Sequence, residues 1–383
     1  MKTNWDLTVF YKDFDDPEFK DDLARLPKEI DAFTAAIAAP AEDEVKKLVS
    51  LVHQEEALSN LFERLSLMIG LTLSVDANNK AANAAMAPLM RAVMGSSLAS
   101  NAFSRYLASL ENLDAIIDAD DELKARAFAL REATEDAKHQ LPEALEKPVL
   151  KMQLSGGEAF SQLRDKLDAT LLVDYDGKQI PLSAVRALAY DGDADTRRRA
   201  YEAELASYKK IELPMSFCLN NLKAEGETMA ALKGYKGVLD MALAHSRMDE
   251  KTLEAMWTAI REALPELREY FKAKGRLLGH ENGLPFYDLF APVGQSTRTY
   301  TVEEARALLL DLFGKFCPEM GEMMRTAFDE CWIDMYPREG KSGGAFCSGY
   351  YAKNISRVMT NFAGSASDVS TLAHELGHAF NNR

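Results

Sequence analysis

Thr371-Leu372-Ala373-His374-Glu375-Leu376-Gly377-His378-Ala379-Phe380 contains the pattern His-Glu-x-x-His. On an α-helix, residues four apart are turned about 40° from each other and rise about 6 Å, so His374 and His378 project from one face. Two imidazoles at that separation can hold one Zn²⁺, each at about 2.0–2.1 Å. Glu375 stands one step round the helix, where a carboxylate reaches a water on the metal without ligating the metal itself. The pattern thus assigns two ligands, His374 and His378, and one base, Glu375. Leu372, Leu376, Ala379 and Phe380 supply apolar positions at helical spacing. Ser365, Ser367 and Asp368 precede them as N-cap and first-turn signals, so a buried helix is expected. A surface helix with an incidental i, i+4 histidine pair is the plainer alternative.

A catalytic zinc takes three protein ligands plus water. The residues after His378, from Ala379 to Arg383, include no Cys, His, Asp or Glu. The longer pattern His-Glu-x-x-His-x-x-Gly-x-x-His fails because residue 381 is Asn. The remaining histidines, His53, His139, His245 and His280, are scattered. A third ligand is therefore either upstream or absent from these residues.

Composition narrows the classes. With 383 residues, 47% of them hydrophobic, the chain can build a sizeable core in more than one lobe. The net charge of −15 argues against a general nucleic-acid binder. Cys218, Cys317, Cys331 and Cys347 form no Cys-x-x-Cys, which excludes a zinc knuckle or a redox pair. Their low density fits a reducing compartment, and a cytoplasmic location is expected. Cys347 is expected to be a structural thiol rather than a reactive one. The N-terminus has no apolar signal core, and no run of 18 apolar residues occurs, so no membrane span is expected.

Along the chain, Trp5, Phe10, Tyr11 and Phe14 suggest an irregular arm packed on the body. Val45, Leu48, Val49 and Val52 open an apolar helical stripe that continues through Leu65 and Ile69. Residues 76–110 read as a long helix with a kink or break at Pro88. Residues 170–182 read as a hairpin turning at Asp176-Gly177. Asp191-Gly192-Asp193-Ala194-Asp195 has the composition of half a calcium loop, but Thr196 stands where that loop requires Gly. It reads as a capping turn, followed by Arg197-Arg198-Arg199 as a solvated face. Residues 196–232 and 249–279 are expected as long helical stretches, with a lobe boundary in the loop-rich crossing that follows. Thr301 caps a further helix. Trp332-Ile333-Asp334-Met335-Tyr336 is β-prone, Gly340 to Gly344 reads as a flexible loop, and Ala345-Phe346-Cys347 and Ser356 to Asn361 read as short strands. A small sheet beside the histidine helix would give an extended peptide a strand edge to pair with, or would merely prop the helix.

Several of these segments carry a resemblance: Trp332 to Tyr336, Gly340-Lys341-Ser342-Gly343-Gly344-Ala345-Phe346, Met359-Thr360-Asn361-Phe362, and Asp368 through His378. Weaker likeness reaches back through Tyr287-Asp288-Leu289 and Gly234-Tyr235. On them the chain resembles the oligoendopeptidase F family of zinc metallopeptidases, relatives of thimet oligopeptidase and neurolysin. The resemblance implies a mainly α, multi-helix fold with two lobes around a deep channel and a small β-sheet next to the zinc helix. It implies an N-terminal helical region over residues 1–195 and the start of a catalytic peptidase region over 196–383. It implies a Zn²⁺ cofactor on His374 and His378, Glu375 as general base, and short peptides as substrates, with no nucleic-acid or membrane partner.

The likeness is to the front part of a family member, with the C-terminal part missing. The family's third ligand, a Glu on a later helix, is accordingly expected beyond Arg383. Relatives commonly carry His where this sequence has Asn381. The rival expectation is a non-catalytic helical scaffold, truncated or degenerate, that binds peptide or a partner.

Overall fold

In the computed structural model, which describes residues 2–294, 298–338 and 340–383, the chain is mainly helical with two small sheets. Contacts group it into two compact units, Met1–Ala137 with Thr297–Arg383, and Lys138–Ser296. That division follows packing, whereas the sequence division at 195/196 follows expected role.

The first unit opens with an arm whose Trp5, Phe10 and Tyr11 are buried. Three long helices follow: α1 (Pro17–Ala38), α2 (Glu44–Val75) and α3 (Lys80–Ser109). Each begins where a side chain can accept an otherwise unpaired backbone N–H, from Glu18 to Asp16, from Lys46 to Asp43 and from Ala82 to Asn79. Their apolar stripes meet in one core that includes Leu26 and Ile30 of α1, Leu65 and Ile69 of α2, and Leu89 and Leu107 of α3. Pro88 does not break α3, which continues through it for a further 21 residues to Ser109. The short helices α4 (Leu113–Asp118), α5 (Asp121–Ala125) and α6 (Ala127–Ala137) complete this part.

The second unit contains α7 (Glu143–Ser155), α8 (Gly157–Thr170), strands β1 (Leu172–Tyr175) and β2 (Lys178–Pro181), and α9 (Leu182–Ala187). It continues with α10 (Ala194–Tyr208), α11 (Glu212–Leu232), α12 (Val238–His245) and α13 (Glu250–Leu277). β1 and β2 form the expected hairpin, with Val173 opposite Ile180. The helical stretch expected over 196–232 is split at 209–211 into α10 and α11.

The Arg197-Arg198-Arg199 run is not a uniformly solvated face. Consecutive helical residues point about 100° apart, so three in a row cannot share one environment. Arg198 and Arg199 are exposed, while Arg197 is 3% exposed and pairs with Asp288 at 2.7 Å.

The chain then returns to the first unit with α14 (Val302–Phe316), α15 (Pro318–Asp329), β3 (Ile333–Asp334), β4 (Phe346–Tyr350), β5 (Ile355–Met359) and α16 (Ala366–Asn381). Thr301 and Glu304 form a reciprocal capping box at the start of α14. The sheet order is β3-β5-β4, with β3 parallel and β4 antiparallel to β5, so β5 is central and β4 lies at an edge. Val302, Leu309, Met323, Phe328, Trp332, Val358, Leu372 and Leu376 form a second core that joins α14, α15, the sheet and α16. Among the described residues no helix is long and apolar enough to cross a membrane.

Candidate active site

The start of α16 is fixed by its sequence. Ser365 Oγ accepts the Asp368 N–H at 3.1 Å, and the Asp368 carboxylate accepts the Ser365 N–H at 2.8 Å. Asp368 also accepts the Ala363 N–H, tying the entering loop to the first turn. Val369, Leu372, Leu376 and Ala379 are buried. Each fully buried leucine contributes about 1.5–3 kcal/mol, enough to fix the rotation of the helix about its axis. With that face inward, His374 and His378 are exposed.

The two imidazoles face each other, with Nε2 to Nε2 at 3.1 Å and ring planes at 89°. Two nitrogens bound tetrahedrally to one zinc at about 2.0–2.1 Å would stand about 3.3 Å apart. The observed separation fits a chelating pair with little adjustment. It is a two-donor set, since no group of three or more His, Cys, Asp or Glu suited to a metal occurs among the described residues.

Glu375 is only 7% exposed, yet its carboxylate makes no hydrogen bond or ion pair with another described residue. It lies near enough to Cys347 to influence that thiol. Burial pushes the Cys347 thiol up to about 11; a Ser356 hydrogen bond opposes the shift and the Glu375 charge adds to it. Cys347 is therefore protonated at neutral pH and poorly suited to be a nucleophile.

Behind the helix, Asn382 Nδ2 reaches Ser356 Oγ at 3.4 Å and crosses over Gly349. A Cβ at position 349 would meet that amide nitrogen at 2.9 Å, so glycine there leaves room for the Asn382 side chain to lie over β4. The sheet is anchored from its other side by the N-terminal arm. Arg357 Nε donates to the Asp6 carbonyl at 2.8 Å, and burial brings the Arg357 guanidinium down to about 10.

The Gly340–Gly344 segment, expected to be flexible, is tied down. Ser342 N–H donates to the Ser74 carbonyl at 2.8 Å, and Asn361 Nδ2 donates to the carbonyls of Ser342 and Gly344 at 2.9 Å each. Asp334 of β3 accepts both Arg338 and Lys341 across the same connection. Sequence reasoning did not assign this role to Asp334. The signal was present as one acid inside the apolar run Trp332-Ile333-Asp334-Met335, since an unpaired carboxylate is not tolerated there.

The model of Peptidase family M3 matches residues 187–382, and the model described as Oligopeptidase F matches residues 108–172. The chain is 27% identical over 267 residues to oligopeptidase PepF of Bacillus subtilis, covering 68% of this chain and 39% of that protein. It is 22% identical over 399 residues to an oligoendopeptidase F homolog of Lactococcus lactis subsp. lactis, covering 100% of this chain and 64% of that protein. The solved structure of PZ peptidase A with inhibitor 2 superposes with a TM-score of 0.74 at 18% identity, covering 95% of this chain and 62% of that one. This chain thus spans less than two thirds of the length of each. At that identity the superposition establishes the fold alone.

Proposed function

Because this chain belongs to peptidase family M3, we propose that the protein is a zinc-dependent endopeptidase that hydrolyses short oligopeptides. His374 and His378 are the proposed metal ligands and Glu375 the proposed general base. The observation that carries this reading is the pair of facing Nε2 atoms 3.1 Å apart, with a buried, unengaged carboxylate on the next residue of the helix. The third ligand is to be sought in the part of the relatives' length that this chain does not span. Residues 1–195 are proposed as the N-terminal helical region and 196–383 as the start of the catalytic region, in a two-lobed arrangement around a channel.

Zinc at such a site supplies Lewis acidity, polarising the scissile carbonyl and bringing the pKa of water down towards about 7. Glu375 takes a proton from the attacking water as its oxygen bonds to the carbonyl carbon. The same carboxyl then delivers that proton to the departing amine nitrogen as the C–N bond breaks. The free edge of β4, beside α16, offers backbone groups for an extended peptide, which supports oligopeptides as the substrate class.

Zinc analysis combined with a quenched-fluorescent peptide assay tests the proposal. The protein is expected to bind one zinc per chain, and Glu375→Gln to keep it while turnover falls by about 10²–10⁴-fold. Undiminished cleavage by that variant removes Glu375 from the mechanism. Absence of both zinc and cleavage favours the non-catalytic scaffold, a reading to which the two-donor set lends weight.

A further inference from the structure

β4 pairs with β5 on one side only, so alternate residues turn their N–H and C=O groups away from the sheet. Its side chains also alternate between the two faces. Cys347 and Gly349 face Asn382 at the end of α16. Phe346 and Ser348 point to the other face, where they and α2 line a groove of about 690 Å³. The α2 wall includes Phe62, Ser66, Leu67 and Gly70.

Two features of that wall are not explained by packing within the chain. Gly70 lies well inside the 32-residue α2, and a Cβ there would meet nothing within 4 Å. Glycine inside a helix costs about 1 kcal/mol relative to alanine, and neither an unusual φ nor a close neighbour calls for it here. One turn earlier on the same face, Ser66 Oγ is buried with no hydrogen-bond partner. The absent side chain leaves space on one wall of the groove, and the Ser66 hydroxyl four residues away lies beneath that wall, shielded from solvent.

We propose that this groove receives a bulky apolar side chain from an extended peptide aligned along the free edge of β4. The inference rests on the peptidase reading for its occupant and goes further by naming where specificity arises. A peptide in β conformation repeats the alternation of β4, so every second side chain turns towards α2 and the intervening ones towards α16. Phe62, Leu67 and Phe346 supply apolar contact, and Gly70 leaves the volume open. Glu63 lines the same groove, which selects against an acidic side chain.

The test uses fluorescent hexapeptides in which one Phe is walked through an otherwise constant Gly/Ala background, with binding followed by anisotropy. The native protein is expected to bind one Phe position at least about tenfold more tightly than the matching Gly peptide. Gly70→Leu is expected to erase that ratio without lowering the melting temperature, because leucine is the better helix former. A ratio that survives in Gly70→Leu, or no Phe preference in the native protein, overturns the groove. The peptidase reading stands or falls separately, on zinc content and on the Glu375→Gln assay. A protein that cleaves peptides with no Phe preference would sink the groove and leave the peptidase intact.

Discussion

Each unit buries one aspartate at 1% exposure between two cationic or potentially cationic partners, yet the two clusters are built differently. In the first unit, Asp334 takes a two-pronged contact from Arg338 at 2.7 and 3.0 Å and a third from Lys341 at 2.6 Å. These partners are 4 and 7 residues away in sequence. In the second unit, Asp288 takes Arg197 Nε at 2.8 Å and His280 Nε2 at 2.6 Å, and Arg197 is 91 residues away. By the logarithmic dependence of loop entropy, closing the longer loop costs about 2 kcal/mol more. The Asp334 cluster therefore fixes a local connection between β3 and β4, beside the candidate site. The Asp288 cluster staples distant parts of the second unit. Both aspartates lie in segments that carry the family likeness, so likeness along a sequence marks structural clamps as well as chemistry.

The largest expected effect is for Asp334→Ala. The Lys341 side chain is fully buried, and without Asp334 its ammonium keeps only carbonyl acceptors. A loss of about 3–5 kcal/mol is expected by denaturant titration, and a loss under about 1 kcal/mol would remove Asp334 as the clamp. Asp288→Ala should cost less, about 2–3 kcal/mol, because the guanidinium left behind is more weakly hydrated than an ammonium and Arg197 still donates to the carbonyls of Asp191 and Gly192. Hydrogen exchange should then accelerate within residues 138–294, and acceleration confined to the first unit would break the comparison.

His280→Ala should cost about 1 kcal/mol, since its side chain is 27% exposed and the Arg197 contact survives. A loss equal to that of Asp288→Ala would make the histidine, not Arg197, the main partner. The smallest effect is expected for Arg198→Ala. Its bond to Asp195 is solvent-exposed, so the change should stay within about 0.5 kcal/mol. A larger loss there would erase the distinction between neighbouring arginines.

Much of the local structure was legible from residues alone. The Asp176-Gly177 hairpin, the Thr301 cap and the helix carrying His374 and His378 each depend on a window of a few residues. The facing of the two imidazoles belongs to the same class, because helical geometry sets it once the helix forms. Other readings failed where the deciding partner was distant. Arg197 looks like its neighbours in sequence because its partner Asp288 is 91 residues along the chain. The Gly340–Gly344 loop reads as flexible because the groups that tie it down, on Ser74 and Asn361, lie outside its window.

Periodicity, caps and the four-residue spacing of the histidines express the stereochemistry of a short stretch of backbone, and so the amino-acid order alone determined them. Which faces are covered and which are left open was decided by tertiary packing. Arg197 turns in to Asp288, Asn382 lies over Gly349, and Gly70 stands open opposite β4. Burial is a property of two surfaces, and when they come from remote parts of the chain no local pattern holds both.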